Sequence, residues 1–461
     1  MKRSETKGVN ILRGNPKVAV RKLAWPLMLS MVVVSLYNII DSVWIAGLGV
    51  DQLAAIGFVI PLEYLIVCIG TSLGAGTTAV VSKYIGEKND AMTDNAAIHS
   101  IMLSLLVSII VTVIFTVFAR ELIVCVGGRG IALDYALEYG QVYFLASVIV
   151  IMPEALFGLF SSEGDNKRAM YVMMLCAIVN TILDPIFIYT LNMGMFGAAI
   201  ATIISLAIIL AIMLYWIYIK RDTYVRPTLD KFHYDSGIIK DILKVAVPSI
   251  CEMVFITFIT AVLHFIILAV STTDSIAVFE NGWRMIMLAT EPMIAISTAM
   301  VSIVAVNYGA RKYENIKTAY NYSMKLGTIL GIVALVIFWV FAPQLAYLFS
   351  YGESARLLEP TITFFRIFSG FFIIFPAGVI STYIFQGFGK GIHSLVFTII
   401  RELICATFFA VLFGIILGWG IDGVWFGVLV GYTVGGLIAI AYARYYLGRL
   451  TKSGGETGDI K

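Results

Sequence analysis

Twelve times along this chain, some twenty or more residues pass with few or no charged side chains. That recurrence limits the fold more than any other feature. A helix needs about 20 apolar residues to cross roughly 30 Å of hydrocarbon. The runs show no period-two alternation, so helices rather than the strands of a barrel are expected. The spans are read at roughly 24–47, 54–82, 96–119, 134–160, 168–190 and 196–219, then 241–271, 276–306, 318–346, 358–384, 393–417 and 421–446. Composition agrees: 60% of residues are hydrophobic and 13% charged, against about 25% charged in soluble domains. The bilayer is therefore the expected solvent.

The expected fold class is an all-α polytopic membrane protein, with twelve transmembrane helices in two six-helix lobes. Residues 1–219 form an N-terminal lobe, 220–240 a cytoplasmic linker, 241–450 a C-terminal lobe and 451–461 a polar tail. Matched landmarks carry the division. YIGEKNDAMTDNA at 84–96 parallels NYGARKYENIKTA at 307–319, and EGDNK at 163–167 parallels QGFGK at 386–390, both at an offset of 223. LAWP ending at Pro26 parallels VAVP ending at Pro248, at an offset of 222. An even number of spans per half makes this a parallel repeat about a pseudo-two-fold axis along the membrane normal. Two such lobes rocking about a central cavity is a transporter architecture.

Twenty-six of the 32 Lys and Arg residues fall on one side of these spans. By the positive-inside rule that side is the cytoplasm, so both termini are expected there, in a multi-pass protein of the plasma membrane. No cleavable signal peptide is expected, because the first apolar run leads straight into a full span. A formal net charge of +3 and the absence of a Lys/Arg run argue against a nucleic-acid partner. The five cysteines are scattered through apolar runs, and the four histidines lack metal-ligand spacing.

Charge inside a bilayer is costly and marks function by default. Asp41 lies deep in the first span, with Tyr37 one turn before it. Asp184 lies in the fifth, with Asn180 one turn before it and Pro185 after it. The proline frees carbonyls for an ion or a proton network. An aspartate in hydrocarbon suits proton uptake and release. Two carboxylates with Asn and hydroxyl oxygens also suit Na⁺, for which Asp41, Asn180, Asp184 and Thr202 are the candidates. Tyr139 of the fourth span offers another hydroxyl. At the 223 offset Asp41 faces His264 and Asp184 faces Thr407, so the acidic pair belongs to the N-terminal half alone. Pro26, upstream of Asp41, is a candidate hinge. Glu163, in the loop SSEGDNKR, is a candidate cytoplasmic gate that titrates beside Lys167 and Arg168. In the other half Glu280 and Arg284 are expected to neutralise each other at i,i+4. Glu252, Glu291, Arg366, Arg401 and Glu402 read as mostly structural, and the role of Glu63, close behind Pro61, is open.

These residues resemble the multidrug and toxic compound extrusion (MATE) family. The resemblance rests on AWPLMLSMVVVSLYNIIDSVWIAGLG, the following DQLAAIG, the repeated loops YIGEKND and NYGARKYENI, and EGDNK with QGFGK. It covers about residues 15–450. An acidic pair confined to the first lobe resembles the prokaryotic DinF-type branch. The NorM-type branch adds acids in spans 7 and 10, whereas here span 7 has Glu252 and span 10 none. The resemblance implies cation-coupled efflux, driven by H⁺ and/or Na⁺, of amphipathic and often cationic drugs through a V-shaped cavity, and with it antibiotic resistance. It implies a coupling network of Asp41, Tyr37, Asn180, Asp184, Thr202 and Tyr139, with no cofactor beyond the coupling ion. A monomer in the lipid bilayer is expected. The alternative is a flippase for lipid-linked oligosaccharides on a related fold, which would want a cationic cavity. A membrane enzyme is not expected, since no HExxH, GxSxG or Cys/His cluster occurs. A channel fits least.

Overall fold

The structure is a computed structural model and describes residues 5–228, 230, 232–348 and 352–452. The helices in chain order are α1 (Lys7–Arg13), α2 (Pro16–Ala46), α3 (Val50–Gly86), α4 (Asp90–Val117), α5 (Ala119–Cys125), α6 (Gly130–Leu145), α7 (Ser147–Ser162), α8 (Asn166–Pro185) and α9 (Gly194–Leu214). They continue as α10 (Ser236–Val270), α11 (Thr273–Gly309), α12 (Tyr313–Val340), α13 (Ala342–Tyr347), α14 (Leu358–Phe368), α15 (Phe371–Gly387), α16 (Gly391–Thr398), α17 (Ala406–Val411) and α18 (Gly420–Lys452). Wider π-helical turns follow at Ile186–Thr190, Tyr215–Lys220, Ile399–Cys405 and Leu412–Ile416. The described residues contain no strand. From residue 453 onward the polar tail lies outside the described residues.

Ten of these helical segments are long and apolar enough to cross a membrane, and two bent pairs bring the number to twelve. The two bent pairs correspond to the spans expected at 134–160 and 358–384. α6 meets α7 at 51°, and α14 meets α15 at 50°. Each break has a serine whose hydroxyl returns to a carbonyl three residues back, Ser147 to Phe144 (2.7 Å) and Ser369 to Arg366 (2.7 Å). Such a hydroxyl competes with the helical ladder where the chain turns. The short α1 and the early start of α10 at Ser236, inside the expected linker, are departures from the expectation.

The chain divides into two compact units. The first comprises Met1–Arg13 and Leu29–Val247, the second Gly14–Met28 and Pro248–Lys461. α2 thus gives its first turns to the second unit, and α10 its first turns to the first.

Within the first unit, α3 and α7 meet along small residues. A side-chain carbon on Gly158 would lie 2.2 Å from the Gly74 carbonyl oxygen, and one on Gly74 2.6 Å from that of Glu154. Thr78 and Ser82 extend the seam, donating to the carbonyls of Gly158 and Ser162 at 2.9 Å each. Gly74, Thr78 and Ser82 recur every fourth residue, which keeps them on one helix face. In a bilayer, close backbone approach of this kind replaces the missing hydrophobic drive between helices. The second unit instead packs around aromatic rings, with Phe279 stacked between Trp283 (5.6 Å) and Trp425 (5.8 Å).

The repeat is visible in the element bounds. α11 and α12 begin at Thr273 and Tyr313, each 223 residues after α3 and α4, and Lys88 (φ 58°) and Arg311 (φ 56°) share the left-handed conformation at the same offset. Further along the offset grows. The π-helical turns beginning at Ile186 and Leu412 stand 226 apart. The counterpart of Asp184 is therefore Ala410 rather than Thr407.

Candidate functional site

Asp41 from α2 and Asp184 from α8 come within hydrogen-bonding reach of each other. Asp184 is fully buried. Both of its oxygens, and Oδ1 of Asp41, are buried without a regular hydrogen-bond donor. The Asn180 amide nitrogen lies against the Asp184 carboxyl and donates to Thr202 Oγ1 of α9 (3.2 Å), which donates in turn to the Ala198 carbonyl (3.2 Å). Asn180 Oδ1 is left without a donor. Tyr37 lies close enough to both aspartates to feel their charge. Tyr139 from α6 feels that of Asp41 and stacks on Tyr143, ring centroids 6.1 Å apart.

The chain around this cluster explains the placement. Pro185 ends the regular ladder of α8, and the π-helical turn Ile186–Thr190 follows at once. At its end the Tyr189 hydroxyl donates to the Trp44 carbonyl, tying α8 to the end of α2. Gly47 has to stay small there, because a side-chain carbon would meet the Tyr189 hydroxyl at 2.2 Å. No lysine or arginine occurs between Leu29 and Ser82, between Gly130 and Asn166, or between Ala169 and Ile219. The carboxyls therefore face hydroxyls and an amide, with no basic side chain from these stretches.

The structure brings together Asp41, Asp184, Asn180, Thr202, Tyr37 and Tyr139. It does not bring Pro26 or Glu163 to them. Pro26 lies inside α2 on the part that belongs to the second unit. Glu163 is almost wholly buried where α7 ends, and its Oε2 accepts the backbone N–H groups of Tyr224 (2.6 Å) and Val225 (3.1 Å). Burial pushes its carboxyl up to about 8, the two backbone donors opposing. Its hydrogen bonds go to the main chain, and the nearby Arg168 acts on its charge without pairing with it. Arg168 turns instead to Asp165 (3.2 Å) and Asp222 (2.9 Å). Burial raises Asp222, but Lys220 and Arg168 outweigh it and hold that carboxyl below its ordinary range.

In its described residues, the segment from Tyr224 to Asp235 is strapped down rather than loose. Its backbone N–H groups are accepted by Glu163, by Asp94 (from Arg226, 2.8 Å), by Asn95 (from His233, 3.1 Å) and by His99 Nε2 (from Asp235, 2.9 Å). His99 Nδ1 faces the Asn95 carbonyl at 2.9 Å, so the ring proton sits on Nδ1.

In the second unit Glu280 does not take Arg284. Its partner is His264 (2.8 Å), reached across from α10, and among the described residues no ion pair joins Glu280 to Arg284. Glu252 is buried and accepts hydroxyl bonds from Ser394 (3.2 Å) and Thr398 (2.5 Å). Arg401 and Glu402 form a buried ion pair (2.7 Å). Two acids of the first unit were under-read from sequence, Glu63 and Glu154. Glu154 of α7 packs on Gly70 of α3, where a side-chain carbon would sit 3.0 Å from its Cβ. The available signal was the glycine facing it, which is visible only once α3 and α7 are paired. Among the described residues no group of three or more His, Cys, Asp and Glu side chains is arranged to hold a metal ion.

Comparison with known proteins places this geometry. The MatE family model matches residues 26–186 and again 248–412, two copies that begin at the paired prolines Pro26 and Pro248. A solved structure described as the outward-facing conformation of a multidrug resistance MATE family transporter of the MOP superfamily superposes with a TM-score of 0.94, at 36% identity, covering 97% of this chain and 100% of that one. The FAD transporter of Shewanella oneidensis is 25% identical over 71% of this chain and 73% of its own. The multidrug export protein MepA of Staphylococcus aureus is 22% identical over 84% of this chain and 85% of its own. With both halves matched, and the whole chain superposing on a solved relative, this all-α, multi-pass membrane transporter belongs to the MatE family.

Proposed function

We propose that this chain is a cation-coupled exporter of amphipathic, often cationic compounds, working by alternating access. The coupling ion, H⁺ and/or Na⁺, loads at Asp41 and Asp184 with help from Tyr37, Asn180, Thr202 and Tyr139. Residues 1–219 and 241–450 act as the two lobes, joined through 220–240, and the protein works as a monomer with both termini in the cytoplasm. The observation that carries the reading is the meeting of a buried carboxyl from α8 with a half-buried one from α2, with unsatisfied oxygens on both and no basic side chain from their own stretches of sequence. A bare pair of charges there is expensive. A proton, a sodium ion or a cationic substrate each relieves it, and all three compete for one place. That competition gives antiport its logic. Loaded carboxyls must favour one conformation over the other, and a tenfold shift needs about 1.4 kcal/mol of preference. Pro26 serves as the hinge in this reading. Glu163 serves as a cytoplasmic gate, because losing its proton above about pH 8 puts a buried charge under the strap.

The test is efflux of a fluorescent cationic dye from proteoliposomes under an imposed pH gradient and then a Na⁺ gradient, wild type beside Asp41→Asn. Wild-type efflux under either gradient, lost in the variant, is the expected result. Equal efflux by both proteins would sink the mechanism. No ion-driven efflux from intact protein would move the reading to the lipid-linked oligosaccharide flippase.

A further inference from the structure

The first unit holds more acid than the Asp41–Asp184 pair uses. Glu63 lies in α3 two residues beyond Pro61. Its carboxyl lies against Tyr139 of α6 and feels the charge of Asp41. Its Oε1 is buried and has no partner. Tyr139, itself buried, feels the charge of both Glu63 and Asp41.

The groups around Glu63 offer no compensating positive charge. From α6 they are Tyr139 and Tyr143, and from α2 Asp41. From α7 Glu154 also acts on Tyr143. Beyond His99, α4 carries no titratable side chain, and Arg120 and Glu121 of α5 are exposed. An ionised Glu63 would thus have the phenol as its one neighbouring donor and a buried oxygen, Oε1, left bare, on a residue that is itself half-buried. Such a charge costs several kcal/mol unless it is neutralised. A phenol has a single O–H, so it serves one acid at a time.

We infer that Glu63 is a second loading acid, linked to the Asp41–Asp184 pair through Tyr139, and that each transport cycle takes up at least two protons. One proton goes to the aspartate pair, the other to Glu63. The inference rests on the antiport reading above and fixes its stoichiometry.

The experiment is a balance point. Proteoliposomes carry a monocationic fluorescent dye at a tenfold gradient, with the membrane potential clamped at zero by valinomycin and equal K⁺. The opposing proton gradient that stops net dye flux is then found. Two protons per dye balance at about a threefold proton gradient, one proton at about tenfold. Wild type is expected at the first value and Glu63→Gln at the second. Glu63→Asp, which keeps the acid, is expected to stay near the first. Balance near tenfold in wild type, or an unchanged balance in Glu63→Gln, overturns the inference and leaves antiport standing. Absence of any ion-driven flux in wild type defeats the antiport reading instead. Infrared spectra of the purified protein then decide Glu63 separately. A protonated-carboxyl band at neutral pH, missing from Glu63→Gln and displaced in Glu63→Asp, supports the loading acid. A spectrum unchanged in both variants overturns it.

Discussion

Glu163 shows how far burial can move a single side chain. Its carboxyl rests at about 8 in the folded protein, well above the ordinary carboxylate value near 4.3. A raised acid favours folding fully below its unfolded value, and that contribution is lost as pH climbs through the folded one. The stabilisation of the strap by Glu163 should therefore decline between about pH 4.5 and 8 and then level off. Thermal unfolding of the purified protein followed across this range is expected to show that slope. Glu163→Gln, which keeps the acceptor oxygen, should flatten it. An unchanged slope would mean that Glu163 ionises freely at neutral pH. At this scale the sequence was informative where charge met hydrocarbon. Asp41, Asp184 and Asn180 stood out because they lie in long apolar runs with no further charged residue nearby. Glu163 was singled out as a gate beside Lys167 and Arg168, but its actual hydrogen-bond partners, backbone groups some sixty residues away, left no mark near it in the string.

Among the elements, the α3–α7 seam is an unforgiving contact. Alanine at Gly158 would press a methyl group onto the Gly74 backbone at 2.2 Å. Overpacking of this kind costs about 1–3 kcal/mol, and backbone cannot swing aside as a side chain does. Gly158→Ala should lower the thermal midpoint in detergent, and Gly158→Ser should not rescue it. An unchanged midpoint for both would show that the two helices separate without cost. The spans themselves were legible from hydropathy, because their length answers to the membrane. The bends at Ser147 and Ser369 were not, since a hydroxyl turning back on its own helix leaves no mark in an apolar run. The drift of the repeat from 223 to 226 was also hidden, because the matched loops lie before most of it accumulates. That drift replaced Thr407 by Ala410 opposite Asp184.

For the whole molecule, the Lys/Arg asymmetry makes a claim about sidedness. Cys125 is exposed at the end of α5, on the face predicted to lie opposite both termini. In a background where the other four cysteines are serine, Cys125 should react in intact cells with a membrane-impermeant maleimide. A cysteine placed at Thr6 should react only after permeabilisation. The reverse pattern would invert the topology and with it the direction of transport. The division into halves was readable because two loops and a proline recur. The exchange of helix starts between the units, with Gly14–Met28 in one and residues up to Val247 in the other, was not, because hydropathy says nothing about which neighbours a helix end chooses.

The strap from Tyr224 to Asp235 is held by its main chain, since the acceptors Asp94, Asn95, His99 and Glu163 all take backbone N–H groups. Recognition of that kind is blind to side-chain identity. Over evolutionary time the rest of such a segment is free to drift in sequence while the four acceptors stay constrained, the exceptions being Tyr224, whose hydroxyl donates to Asp90 (2.7 Å), and Phe232 and Tyr234, whose rings pack on His99. Only an imino acid, which brings no N–H, is barred from the bonded positions. The one proline present, Pro227, sits immediately after the bonded Arg226 and takes no part in these bonds. Across relatives the signature of this region should therefore lie in α4 and in the loop after α7, and a comparison confined to the connecting segment itself would miss it.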